Sequence, residues 1–268
     1  RDRVSSLVLN ATGSRKCCQL IRCRSTEDDD MNPQIFSDEH FRKAIKSTVC
    51  LVVFCCIVSQ IMMQLAGGER DDPLDLSDQV PQEMQDNGGV VFEDGYPPFV
   101  SSAGALMPEK FVFNLGLFSG GVMMIFLTFE IYHRTKFQNT TRKIANVSTL
   151  VTGIIVGYSM VQIVAYPFTT EVMSHIFWAM NIFWFAQIWM GALAYTRGKL
   201  DNQFRWKGWK INTIRWTLFS IAVISFQAMT ALTVMDLIVE SAIFEWTLIF
   251  SAFAMMLTII PTLDSVEI

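Results

Sequence analysis

Of 268 residues, 51% are hydrophobic and 17% charged, with a formal net charge of −4 and a mean hydropathy of +0.33. A soluble domain carries about a quarter charged residues, whereas the apolar residues here gather into long runs. Composition therefore sets aside a soluble globular enzyme, places the chain in the membrane class and leaves no reason to expect a nucleic-acid partner.

The first 35 residues are polar, contain "EDDD" (27–30) and lack periodicity, so residues 1–40 are expected to form a disordered cytosolic tail. Cys17, Cys18 and Cys23 lie in this tail, where they are either acylation sites near a membrane or free thiols. Cys50, Cys55 and Cys56 lie in the first apolar run, and the hydrophilic stretch 66–110 has no cysteine, so no disulfide is expected. The chain starts at Arg1 without the basic and apolar regions of a cleavable signal, and the first run is expected to act as a signal anchor.

A hydrocarbon core of about 30 Å takes about 20 helical residues. Six runs meet that requirement, at about 44–65, 111–132, 144–166, 173–196, 214–236 and 243–263, and none is charged at its centre. Backbone polar groups have no solvent partner in lipid, so each run is predicted to be a helix. The expected fold is an all-α, six-helix transmembrane bundle forming one domain over 41–268. The short connections 167–172 and 237–242 make helices three and four, and five and six, antiparallel hairpins.

Lysine and arginine set the orientation. Arg42, Lys43 and Lys46, the 133–143 loop and the 197–215 loop carry thirteen cations against two, Arg70 and Lys110, on the other side. Both termini are therefore expected in the cytosol, with 66–110 as an outer loop. That loop is acidic, from Glu69 and Asp71 through Glu93 and Asp94, includes "NGG" (87–89), and reads as flexible and solvated. Carboxylates suit calcium, but their spacing matches no EF-hand loop and no metal is assigned. The sequons at Asn10, Asn139 and Asn146 fall on the cytosolic side or at a boundary, so glycosylation is not expected.

Helices in lipid associate through close packing and polar contacts. Gly116 with Gly120, and Gly153 with Gly157, form two small-xxx-small patterns, read as packing within the chain in preference to homodimerisation. Gln60, Asn114, Gln162, Asn181, Gln187 and Gln227 are expected to bridge helices; the competing reading, that they line a lipid or solute cavity, gives a channel or transporter weak support. Trp178, Trp206, Trp209, Trp216, Trp246, Tyr132 and Tyr195 read as an interfacial belt. "FRWKGWK" (204–210) is either a site for anionic headgroups or an ordinary positive-inside loop.

Three histidines are present, and no HExxH, paired CxxC, GxSxG or P-loop pattern. Ionisable groups gather at the outer helix ends: Glu109 and Lys110 before helix two, His175 in helix four, Asp236 ending helix five and Glu245 starting helix six. Converging, Glu109, His175, Asp236 and Glu245 would serve proton transfer on a lipid headgroup; the favoured alternative makes them boundary residues in caps and ion pairs. No catalytic residue and no cofactor is assigned.

The stretch "PPFVSSAGALMPEKFVF" (97–113) resembles the outer-loop motif of the FRAG/DRAM/Sfk superfamily. Pro98, Val100, Ser101, Gly104, Pro108, Glu109 and Phe113 fit the pattern. Ser102 stands where DRAM-like members carry Asp, and "VSSA" (100–103) is similar to the branch of post-GPI-attachment factors. "VSTLVTGIIVGYSMVQIVAYPF" (147–168), His175 and "FEWTLIFSAFAMMLTIIPTLD" (244–264) resemble the third helix, the entry to the fourth and the last helix. The resemblance covers 44–264 and implies a six-helix protein. It also implies one of three roles: a DRAM-like link to autophagy and lysosomes, GPI-anchor lipid remodelling in ER and Golgi, or assistance to a phosphoinositide kinase at the plasma membrane. The segment 97–108 is expected to form a compact non-helical cap, with Pro108 and Glu109 opening helix two. The resulting expectation is a non-enzymatic multi-pass protein that modulates endomembrane or lipid organisation, DRAM-like. Membrane lipids, and a protein partner reached through cytosolic loops, are the expected partners.

Overall fold

The six apolar runs fold as six long helices in the computed structural model, which describes residues 36–86, 88–135 and 139–263. They are α1 (Asp38–Ala66), α2 (Glu109–His133), α3 (Thr140–Ala165), α4 (Val172–Leu200), α5 (Ile211–Val234) and α6 (Ile238–Leu257). All six are long and apolar enough to cross a membrane. The tail cysteines, Asn10, "EDDD", Asn87, Lys136 and Asp264 lie outside the described residues.

Most helices outrun the apolar segments predicted for them, because polar residues at the ends still cap and continue a helix. α1 starts at Asp38 and not near 44, so the expected tail boundary at 40 is corrected: the Ser37 hydroxyl accepts the His40 N–H, and Asp38 and Glu39 occupy the positive first turn. Asn139 caps α3 by accepting from the N–H groups of Thr141 and Arg142. α6 is displaced the other way. It begins at Ile238, ends at Leu257 and passes into a 3-10 turn at Ile260–Thr262, where Pro261 has no N–H to donate.

Sequential helices pack as antiparallel neighbours, α1 on α2, α2 on α3, α3 on α4 and α5 on α6, and α6 closes the bundle against α1 and α4. The core holds Phe41, Ile45, Val52, Phe113, Leu127, Trp189, Met190, Leu193, Leu248 and Met255. Outward-facing Phe54, Phe111, Phe177 and Ile224 are each about 60% exposed, as a lipid-facing surface requires.

Glycine sets the closest approaches. A Cβ on Gly116 would stand 2.4 Å from the Cys55 Cβ, and one on Gly120 2.2 Å from Val52, so α2 lies directly on α1. On its other side Gly121 and Gly157 face each other's carbonyl oxygens at 2.5 and 2.6 Å from their hypothetical Cβ positions, and Gly153 meets Thr128. Two of the interior amides expected to bridge helices do not: Asn181 and Gln187 donate to Phe177 and Phe183 in their own helix. Thr149, Thr152 and Thr230 do likewise, returning hydroxyls to carbonyls one turn back, whereas the Ser241 hydroxyl bridges α6 to the Met229 carbonyl of α5.

The acidic segment between α1 and α2 is folded, contrary to the solvated loop expected from its charge. Strands β1 (Leu74–Asp75) and β2 (Val91–Phe92) pair antiparallel. Leu76 and Val80 are buried against Phe168 and Val172, with Leu74, Val90 and Phe92 packed around them. Gln79 fixes the docking by donating to the Thr169 carbonyl at 2.7 Å.

Gly157→Ala should lower the thermal unfolding temperature of the purified protein, because its methyl would stand 2.6 Å from the Gly121 carbonyl oxygen and 2.7 Å from the Ile125 side chain. The expected loss is about 1–3 kcal/mol, and circular-dichroism melts in detergent check it.

Candidate functional site

The stretch 97–104 enters the bundle at the end formed by the α1 and α3 C-termini and the α2 and α4 N-termini. It is not the non-helical cap expected. Val100–Gly104 form a 3-10 turn, with Ser102 N–H bonded to Phe99 O and Ala105 N–H to Ser102 O. The turn is possible because Ser101 to Ala105 are small enough to fit among α1, α2 and α6. Ser102 and Ala103 are essentially inaccessible, and a Cβ on Gly104 would strike the Phe113 ring at 2.8 Å.

Two side chains of α6 hold this plug. Glu245 Oε2 accepts the Val100 N–H at 2.9 Å, and Trp246 Nε1 donates to the Pro98 carbonyl at 3.3 Å. Glu245 lies well inside α6, not at its start, so its carboxylate reaches inward. Of the other motif residues, Ser101 faces the bundle interior, the Ser102 hydroxyl is buried without a partner among the described residues, and Pro108 is the α2 N-cap.

Arg70 clasps the plug from outside. Its Nε and Nη2 donate to both oxygens of the buried Glu109 at 2.8 and 3.0 Å, and Nη2 also donates to the Met107 carbonyl at 2.8 Å. The hydrogen-bonded Glu109 carboxylate holds the Arg70 guanidinium above its ordinary range. Tyr96 N–H binds the Arg70 carbonyl, and burial raises the Tyr96 phenol.

Beneath the plug is a cavity of about 100 Å³. Five helices line it, and α5 contributes nothing. Val52, Phe113, Met160, Ala186, Trp189 and Leu248 typify the apolar wall, and Glu245 supplies its carboxylate. A dry apolar cavity of about 150 Å³ accepts a benzene-sized guest, so the space suits the end of one hydrocarbon chain.

The four expected outer-face residues share one end of the bundle but have separate surroundings. Glu109 pairs with Arg70 and Glu245 with Val100. His175 Nδ1 donates to the Tyr166 carbonyl at 2.8 Å, its ring edges onto Phe168, and its Nε2 is buried without a partner among the described residues. Asp236 is exposed in the α5–α6 turn at φ +58°. No hydrogen bond or ion pair joins any two of these four.

A second polar cluster sits at the opposite end, among residues first counted only as loop cations. Asp201 accepts two bonds from Arg197, at 2.8 and 3.0 Å, and one from Arg215 at 2.6 Å. The remaining guanidinium donors reach the hydroxyls of Thr135, Thr258 and Thr262 and the Thr258 carbonyl. Arg215 is fully buried and Asp201 nearly so, which makes the triad a clasp for α4, α5 and the end of α6. Arg134 similarly joins Glu130, Asp38 and the Phe36 carbonyl. The i,i+4 spacing of Arg197 and Asp201 was the available sequence signal.

Arg70→Ala should destabilise the protein by about 3–5 kcal/mol, since it strands a buried carboxylate. Arg70→Met with Glu109→Leu should recover most of that loss, as removing both partners leaves no orphaned charge. Thermal unfolding of the single and double variants distinguishes these outcomes.

No curated protein and no solved structure matches the chain. The family described as Frag1/DRAM/Sfk1/Cwh43P N-terminal domain matches residues 47–266, which takes in the plug, α2 to α6 and α1 from Ser47 onward. The chain is therefore a multi-pass membrane protein of the Frag1/DRAM/Sfk1/Cwh43P family.

Proposed function

We propose that this chain is a non-enzymatic, DRAM-like organiser of endomembrane lipid, linked to autophagy and lysosomes, which holds the end of a lipid hydrocarbon chain in its central cavity. The observation that carries this reading is the apolar cavity closed by the 97–104 plug and bearing the Glu245 carboxylate. A hydrocarbon guest gains about 25 cal/mol for each Å² it removes from water. The carboxylate beside it favours a guest with a hydroxyl or amine donor. The separation of Glu109, His175 and Asp236 into unrelated contacts supports binding in preference to acid–base turnover. The excess of cations at the opposite end supports the plug facing the lumen and both termini the cytosol.

A second reading, a lipid-remodelling factor for GPI anchors, draws on the same carboxylate, which stands where a reacting lipid chain would enter. It requires a change in GPI lipid composition in cells lacking the protein; unchanged composition removes it.

Ala186→Phe should fill the cavity, and lipid mass spectrometry of the purified variant should show less retained lipid per protein than wild type. Glu245→Gln keeps an acceptor for Val100 and should keep the plug closed while altering which lipids remain. Equal lipid content in Ala186→Phe and wild type, or turnover of lipid by the purified protein, counts against the primary reading.

A further inference from the structure

Between α4 and α5 the chain forms a two-residue hairpin. Strands β3 (Arg205–Trp206) and β4 (Trp209–Lys210) pair antiparallel, with Arg205 opposite Lys210 and Trp206 opposite Trp209. Lys207 and Gly208 make the turn with φ of +48° and +85°, the left-handed pair that matches strand twist. All six residues are exposed, with Trp206 at 54% and Trp209 at 67%.

The base of this hairpin is rigid. Ile211 N–H bonds to the Phe204 carbonyl, Ile211 is buried, and Asp201 is gripped by Arg197 and Arg215. The ribbon is therefore fixed at the level where two spanning helices leave the hydrocarbon, and it cannot fold its tryptophans into the bundle.

Its chemistry is unbalanced. Register puts both indoles on one face of the ribbon and Arg205 and Lys210 on the other. Like charges directly opposite each other destabilise a strand pair. Among the described residues Arg205 donates only to the Gly208 carbonyl, and the Lys207 ammonium lies 5.1 Å from the Trp206 ring. No described acid forms an ion pair with any of the three cations.

We propose that this hairpin is a binding site for anionic phospholipid headgroups of the bilayer that the protein spans. The indoles rest at the glycerol level, where amphipathic rings are favoured. The long cationic side chains reach phosphate and carboxylate oxygens, and an anion between Arg205 and Lys210 removes their repulsion. This surface is separate from the cavity and does not depend on what the cavity holds.

The test uses the full chain in nanodiscs of phosphatidylcholine, with or without 30% phosphatidylserine (roughly the anionic fraction needed for a strong surface potential), and reads hydrogen–deuterium exchange of the 204–211 amides. Each basic residue near an anionic surface contributes about fivefold to association, so exchange is expected to slow by about fivefold or more with phosphatidylserine. The difference should vanish in Arg205→Gln/Lys207→Gln/Lys210→Gln and shrink in high salt, where charges are screened. Because these residues are exposed, unfolding temperature should not change. Equal exchange in the two lipids, or a difference that survives the triple substitution, overturns the proposal.

Discussion

Hydrocarbon offers no hydrogen-bond partner, and that absence governs this structure. A backbone polar group carried into the bundle without a protein partner costs several kcal/mol. The 3-10 turn at Val100–Gly104 shows the rule most directly. A non-α segment enters the helical bundle, and the first N–H of the turn is met by Glu245. Without that carboxylate the plug would carry an orphaned donor into an apolar interior.

The same constraint sorts the bundle into layers. Charged clasps occupy both ends, Arg70 with Glu109 on one side and the Arg197–Asp201–Arg215 triad on the other. Between them glycine takes over: Gly116, Gly120, Gly121, Gly153 and Gly157 bring α1, α2 and α3 into close contact, with Gly153 seated on Thr128. The cavity lies at the centre of the bundle, where these three helices meet α4 and α6. It sits under the plug, whose Val100 N–H is met by Glu245 and whose Pro98 carbonyl is met by Trp246.

Legibility differed between elements for identifiable reasons. The six spans were readable because each is a continuous apolar run whose length matches a bilayer. Their ends were not, since Ser37 and Asn139 act through hydroxyl and amide geometry that hydropathy does not register. The outer loop looked solvated because nine acids mask Leu74, Leu76, Val80, Val90 and Phe92, whose burial depends on Phe168 and Val172 far along the chain. Arg197 and Arg215 counted as loop cations in the sequence, yet both are buried on Asp201.

Sequence alone determined the class of protein, the number of spans, the charge asymmetry and the family motif, because each is a local property of composition or spacing. The tertiary structure alone decided that Glu109 belongs to Arg70, that Glu245 faces a cavity and holds the plug, and that three loop charges form a buried triad. Those facts depend on which partners meet across tens of residues. A carboxylate's chemistry is set by the group opposite it, and the linear sequence does not state which group that is.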